Sequence, residues 1–255
     1  MSLDQSADPY LAARRILDGA RHLLVLSGAG MSAECGIPTF RAAGDATWDT
    51  LARQLATPEG FRTDPQRVWN WYLHRRREAL SAVPHPGYRA LVEWERSADV
   101  VIITQNVDGL HARAGSGRVV ELHGTLHRFI CADHEHPVRG VGDQEQVPRC
   151  PQCGSFVRPM VVWFGEHIPD DAASAAAEAV LRAEAVLLVG TSLMVTTPVG
   201  MLRHAHHQGI PIIEVNPELA LPSPSAADAS PDSALPPATV SLAGTAGSVL
   251  PRLLG

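Results

Sequence analysis

His22-Leu23-Leu24-Val25-Leu26-Ser27 runs directly into Gly28-Ala29-Gly30-Met31-Ser32-Ala33, and this junction decides the fold. The apolar run has no polar alternation and reads as a strand covered on both faces, as in a parallel sheet. The next six residues fit G-x-G-x-x-A, a turn that lets backbone approach a pyrophosphate while the following helix offers N–H donors. Tight turns make the same pattern. The acidic residue that usually closes the second strand, about 20 residues on, has no clear counterpart. An ordinary dehydrogenase is therefore disfavoured, and a dinucleotide held in another way stays open.

Outward from that junction, residues 100–104, 119–122, 185–189, 210–215 and 239–242 are five more short apolar runs. Helix-like stretches at 9–17, 65–80, 88–96 and 172–182 alternate with them. The alternation predicts an α/β chain with an open parallel sheet and helices on both faces. About 70 residues separate the first two strands, far more than the dozen or so an ordinary crossover needs. Residues 37–85 and 126–157 are read as inserts that form a small second lobe. The large lobe then comprises 9–36, 86–125 and 158–255. Residues 219–238, rich in Pro, Ser, Ala and Asp, read as a surface loop.

Composition narrows the function. The chain has 255 residues and a net charge of −6, so no basic excess is present to hold nucleic acid through its phosphates. No apolar run approaches the roughly 20 residues that cross a bilayer. Residues 1–8 lack the basic-then-apolar layout of a signal peptide, and a cytoplasmic protein without a membrane partner is expected. All 21 basic residues are Arg, which rules out a catalytic lysine.

The polar residues gather where strands end. Thr104-Gln105-Asn106-Val107-Asp108-Gly109-Leu110-His111 follows the second run, His123-Gly124 the third, Gly190-Thr191-Ser192-Leu193 the fourth and Asn216-Pro217-Glu218 the fifth. Ligands of open α/β sheets bind at the carboxyl ends of strands. Asx turns account for one such cluster, but not for five. Arg41, in Gly36-Ile37-Pro38-Thr39-Phe40-Arg41, is placed to meet a phosphate or to lie in an exposed loop. Tyr72 and Arg75 are three apart on a predicted helix and so share a face. A phenol and a guanidinium fork together suit a carboxylate; the alternative is a solvated basic face with Tyr72 in the core. Cys150 and Cys153, with Cys131 upstream, offer three thiols of the four ligands a structural zinc needs.

Taken in order, these motifs resemble those of the sirtuins, NAD-dependent protein lysine deacylases, from about Leu24 to the C-terminus. The resemblance implies a Rossmann-like sheet with a small helical and zinc-binding insert domain, the cofactor NAD, and acylated-lysine proteins or peptides as partners. It assigns Gly28, Ala29, Gly30, Ser32, Phe40, Arg41, Gly190, Thr191, Ser192, Asn216, Glu218 and Ala246 to NAD. Gln105, Asn106 and Asp108 would line the nicotinamide and ribose pocket. In that family's reaction the acyl oxygen attacks the nicotinamide ribose, and a base then helps a ribose hydroxyl take the acyl group. His123 would be that base, with Asn106 beside it in the catalytic set.

The stretch Val161-Val162-Trp163-Phe164-Gly165-Glu166 resembles the family's substrate segment, with Val162, Phe164, Gly165 and Glu166 against the peptide. Tyr72 and Arg75 match the Tyr-x-x-Arg signature of members that remove succinyl, malonyl or glutaryl groups, and Ala43 fits their widened acyl pocket. At position 134 the family expects a Cys and this chain has His134, which implies a Cys131, His134, Cys150 and Cys153 site, with His136 as the substitute. The expectation is a desuccinylase-type, monomeric deacylase that also accepts acetyl groups. A plain deacetylase or an ADP-ribosyltransferase on the same NAD site is the alternative, and a silent NAD- or ADP-ribose-binding module is another.

Overall fold

Along the chain run α1 (Pro9–Gly19), β1 (His22–Ser27), α2 (Gly30–Ala33), α3 (Ala46–Leu55), α4 (Pro58–Thr63), α5 (Pro65–Ser81) and α6 (Pro86–Trp94). They are followed by β2 (Asp99–Thr104), α7 (Leu110–Ala114), β3 (Val119–Glu121), β4 (Gly124–Cys131), β5 (Pro137–Val138) and β6 (Val157–Val161). Then come α8 (Asp170–Arg182), β7 (Ala185–Val189), α9 (Thr196–His207), β8 (Ile212–Asn216), β9 (Val240–Ala243) and α10 (Ala246–Leu254). The structure, a computed structural model, describes residues 8–38, 46–194, 196–223 and 235–255.

The central sheet is parallel, in the order β3-β2-β1-β7-β8-β9. All six apolar runs of the sequence are in it. Alternation along each strand feeds two cores. Leu23, Val25, Ile102, Leu187 and Ile213 pack with α1, α6 and α10 on one face. Leu24, Leu26, Ile103, Leu188 and Ile212 pack with α8 and α9 on the other. Because both faces are covered, the strands carry no polar stripe, which is why periodicity alone does not separate them from short buried helices.

Both long inserts contribute to a second body of packing. A three-stranded antiparallel sheet, β5-β4-β6, forms where little periodicity is visible in the sequence. The α4–α5 region packs on it through Phe61, Val68, Tyr72, Leu126 and Trp163. Helix α5 starts cleanly because the Asp64 carboxylate accepts from the Arg67 amide and Pro65 sits in the first turn. None of the described helices is long and apolar enough to cross a membrane.

Candidate functional site

Register brings the strand ends level. Ser27 pairs with both Thr104 and Val189, Thr104 with Glu121, and Val189 with Val215. Gly28, Gln105, Leu122, Gly190 and Asn216 therefore emerge in one row. The main chain continues the ladder past the strands: the Gly28 amide donates to the Val189 carbonyl at 3.0 Å, the Gln105 amide to Ser27 at 3.0 Å and the Gly190 amide to Val215 at 3.1 Å.

The glycines let two of these loops touch. Gly190 has φ +59°, and a Cβ there would sit 2.3 Å from the Met31 nitrogen. A Cβ on Gly28 would meet the Thr191 Cβ at 2.7 Å, and one on Gly30 the Gly190 Cα at 2.8 Å. Backbone thus occupies space that side chains would otherwise fill, with Ala29 half-buried between the glycines. This bare, strand-end cradle with a helix beginning at Gly30 suits a phosphate-bearing dinucleotide.

Next to it lies a closed polar network. The Asn106 side-chain amide donates one hydrogen to the Gly28 carbonyl and one to Ser32 Oγ, both at 2.9 Å. Its Oδ1 is thereby left as the atom Asn106 presents to a ligand. Ser32 gives its own proton to Asp108 Oδ2 at 2.6 Å, and Asp108 Oδ1 accepts from the Leu110 amide at 2.9 Å. Gln105 Nε2 donates to Thr191 Oγ1 at 3.1 Å, and Asn216 Nδ2 to the Thr191 carbonyl at 2.7 Å. One network thus spans the ends of β1, β2, β7 and β8.

Two further side chains join it. The buried Tyr88 hydroxyl lies 3.0 Å from Ser32 Oγ, and His111 Nε2 lies 2.9 Å from Ser27 Oγ, which donates to Thr104 Oγ1. His111 Nδ1 is buried without a hydrogen-bond partner among the described residues. Burial holds its imidazole neutral, with a pKa pushed down to about 3. Nothing local marks Tyr88, whereas His111 closes the 104–111 polar cluster; only the fold brings them to Ser32 and Ser27.

His123 follows β3 at the same edge. Its Nδ1 lies 3.2 Å from the Gln105 carbonyl. A carbonyl only accepts, so Nδ1 carries the proton and Nε2 keeps its lone pair. Burial lowers its pKa, opposed by that hydrogen bond. The His123 carbonyl accepts from the Val162 amide at 3.0 Å, tying His123 to the 161–166 segment.

In that segment Phe164 is 47% exposed and Gly165 has φ +91°. The Glu166 carboxylate turns inward. It accepts from Arg158 Nη2 at 2.7 Å and from the Trp163 amide at 2.9 Å, while the Arg158 guanidinium lies 4.1 Å from the Trp163 ring centroid. Arg158 is 4% exposed, so this clasp fixes the turn from beneath. The side chain of Glu166 is thus held by Arg158 and the Trp163 amide.

On α5, Tyr72 is fully buried and Arg75 half-buried, with the Arg75 guanidinium 4.8 Å from the Trp71 ring centroid. Burial raises the Tyr72 phenol pKa and lowers that of Arg75; Arg75 opposes the first shift, and Tyr72, Glu78 and Asp108 the second. Arg75 is therefore within electrostatic reach of both Tyr72 and Asp108. The Tyr72 hydroxyl is close to Trp163 Nε1, yet neither buried atom closes a well-formed hydrogen bond among the described residues.

The thiols of Cys131, Cys150 and Cys153 lie within 4.8 Å of one another, a soft donor set that fits zinc. His136 Nε2 is 3.1 Å from Cys150 Sγ. Both His136 and His134 lie outside the three-thiol group; His134 is exposed, with its ring centroid 6.2 Å from that of His136. Phe40, Arg41 and Ala43 lie outside the described residues. Of the remaining sequence assignments, Ser192 is half-buried in the strand-end row, Glu218 is exposed past β8, and Ala246 is buried in the first turn of α10.

The Sir2 family model matches residues 28–197. The NAD-dependent protein deacylase of Mycolicibacterium paratuberculosis is 41% identical over 240 residues, covering 91% of this chain and 96% of that one. Among solved structures, a Sir2 homologue in complex with NAD is 35% identical with a TM-score of 0.83, covering 100% of this chain and 95% of that chain. A Sir2 variant bound to 2′-O-acetyl ADP-ribose is 36% identical with a TM-score of 0.83, covering 99% of this chain and 95% of that chain.

Proposed function

The chain belongs to the Sir2 family, and we propose that it is an NAD-dependent protein lysine deacylase that accepts acid-bearing acyl groups, succinyl and malonyl first. The network joining Asn106, Ser32 and Asp108 to the Gly28 turn carries this reading. NAD, when bound, supplies the ribose that receives the acyl group as nicotinamide leaves.

The residues divide the work. Gly28, Ala29, Gly30 and Gly190 open backbone to the phosphates, with Ser192, Asn216 and Ala246 nearby. Asn106 presents Oδ1, and Asp108 is held by Ser32 and the Leu110 amide to meet ribose or carboxamide. His123 takes a proton at Nε2. Val162, Phe164 and Gly165 offer main chain to an extended peptide. The inserts 37–85 and 126–157 form the lobe over the peptide, and there Cys131, Cys150 and Cys153, with His136 or His134 as fourth ligand, would hold a zinc that stiffens it. The acid-bearing acyl chain is received by Tyr72 and Arg75, supported by the unsatisfied Tyr72 hydroxyl and by Arg75 beside it.

Mass spectrometry of matched acetyl-lysine and succinyl-lysine peptides, with and without NAD, tests the proposal. NAD-dependent loss of succinyl with an acyl-ADP-ribose product is expected. Loss of acetyl alone overturns the acyl assignment. ADP-ribose left on protein, or no nicotinamide release, overturns the deacylase reading itself.

A further inference from the structure

Helix α5 presents two stripes. Val68, Tyr72, Arg75 and Ala79 lie along one, and Gln66, Trp69, Leu73 and Arg76 along the other. The second stripe is gripped by residues 143–147, a loop three residues ahead of Cys150. Gln66 is held twice, its Nε2 donating to the Glu145 carbonyl at 2.7 Å and its Oε1 accepting from the Val147 amide at 3.1 Å. Trp69 Nε1 donates to the Gln144 carbonyl at 2.9 Å. The Asp143 carboxylate pairs with Arg76, and its carbonyl accepts from Arg77 at 3.3 Å. Beneath these contacts Trp69 packs with Phe129, Cys131, Cys150 and Val147.

The grip spans three turns of the helix, from Gln66 to Arg77, and combines directional bonds with a packed indole. It therefore fixes both the rotation and the axial position of α5. Tyr72 and Arg75 are read by geometry: a carboxylate needs the guanidinium fork and the phenol at one point, whereas a short neutral acyl chain meets neither. Sliding or rotating α5 by about 1 Å would spoil the first interaction and spare the second.

We propose that the 143–147 loop is a latch that sets acyl selectivity through α5, making Gln66 and Asp143 positioning residues for acid-bearing acyl groups. This rests on the reading of Tyr72 and Arg75 given above. The test is the double variant Gln66→Ala/Asp143→Ala, compared with the unmodified protein on succinyl-lysine and acetyl-lysine peptides, with amide exchange followed across 65–81. Expected are a rise of about tenfold in KM for the succinyl peptide, acetyl and NAD constants within about twofold, and faster exchange in α5. Equal losses on both peptides, or unchanged succinyl KM, overturn the latch; unchanged exchange in α5 does so as well. Failure of the unmodified protein to turn over the succinyl peptide overturns the acyl reading instead, and the latch with it. If the double variant does not fold, Gln66→Leu alone is held to the same outcomes.

Discussion

The imidazole of His123 points Nδ1 at the Gln105 carbonyl, 3.2 Å away, and thereby frees Nε2. The bond fixes the tautomer that a base requires. Burial lowers the pKa of this histidine, and the Gln105 carbonyl opposes the shift. The neutral, proton-accepting form therefore persists below the ordinary histidine value of about 6.5. His123→Ala is expected to lower kcat by about 10²-fold or more. The acid limb of kcat/KM should fall below pH 6.5 in the unmodified protein and vanish in the variant; full activity in folded His123→Ala removes the assignment. The same sign governs stability. The unfolded histidine protonates first as pH falls, so the contribution of His123 is intact above about pH 6.5 and is lost toward its folded pKa.

Arg75 carries the acyl prediction. Arg75→Met keeps much of the aliphatic stem and removes the fork, together with the guanidinium that lies over Trp71. Activity on succinyl-lysine should drop about 10–100-fold, the scale of one or two charge-assisted hydrogen bonds. Acetyl-lysine turnover should change little. Parallel kinetics on the two peptides decide it, and equal losses would place Arg75 in the fold rather than in the acyl site.

The sheet was legible because its strands are apolar end to end and because polar residues cluster where each one stops. Asn106, Asp108 and Gly190 could be picked out for that reason alone. The antiparallel sheet was not legible: β4 sets half-buried His127 and exposed Arg128 between two buried triplets and shifts register between Thr125 and Phe129, so it shows no clean period of two. Tyr88 was invisible for another reason: it sits on a helix face that reads as core. His111 stands in the 104–111 cluster, but the contacts of Tyr88 with Ser32 and of His111 with Ser27 span 56 and 84 positions of sequence. The pairing of Arg158 likewise gives no signal, since its partner Glu166 lies eight positions on, beyond the end of β6.

The three thiols predict close to one equivalent of zinc in protein purified without a polyhistidine tag. Metal analysis giving less than about half an equivalent would count against the site. The fourth ligand is the sharper question. Both histidines lie outside the group of three thiols, but His136 Nε2 is 3.1 Å from Cys150 Sγ. His136→Ala should therefore lower zinc affinity by at least about tenfold in a competitive chelator titration, and His134→Ala should leave it near the unmodified value. The reverse pattern would return the role to His134.

The Arg158–Glu166 clasp makes a prediction about stability and substrate together. Arg158 is 4% exposed, and Glu166 is its close carboxylate partner. Removing the carboxylate leaves a buried guanidinium short of charge compensation, a loss that typically costs about 3–5 kcal/mol. Glu166→Ala should thus lower the urea midpoint markedly. It also strips the Trp163 amide of its acceptor and loosens the turn that presents Phe164. Glu166→Gln retains an acceptor for that amide and should recover part of the loss. If Glu166 acted by touching peptide instead, Glu166→Ala would raise the peptide KM without moving the midpoint, and urea titration beside peptide kinetics separates the two.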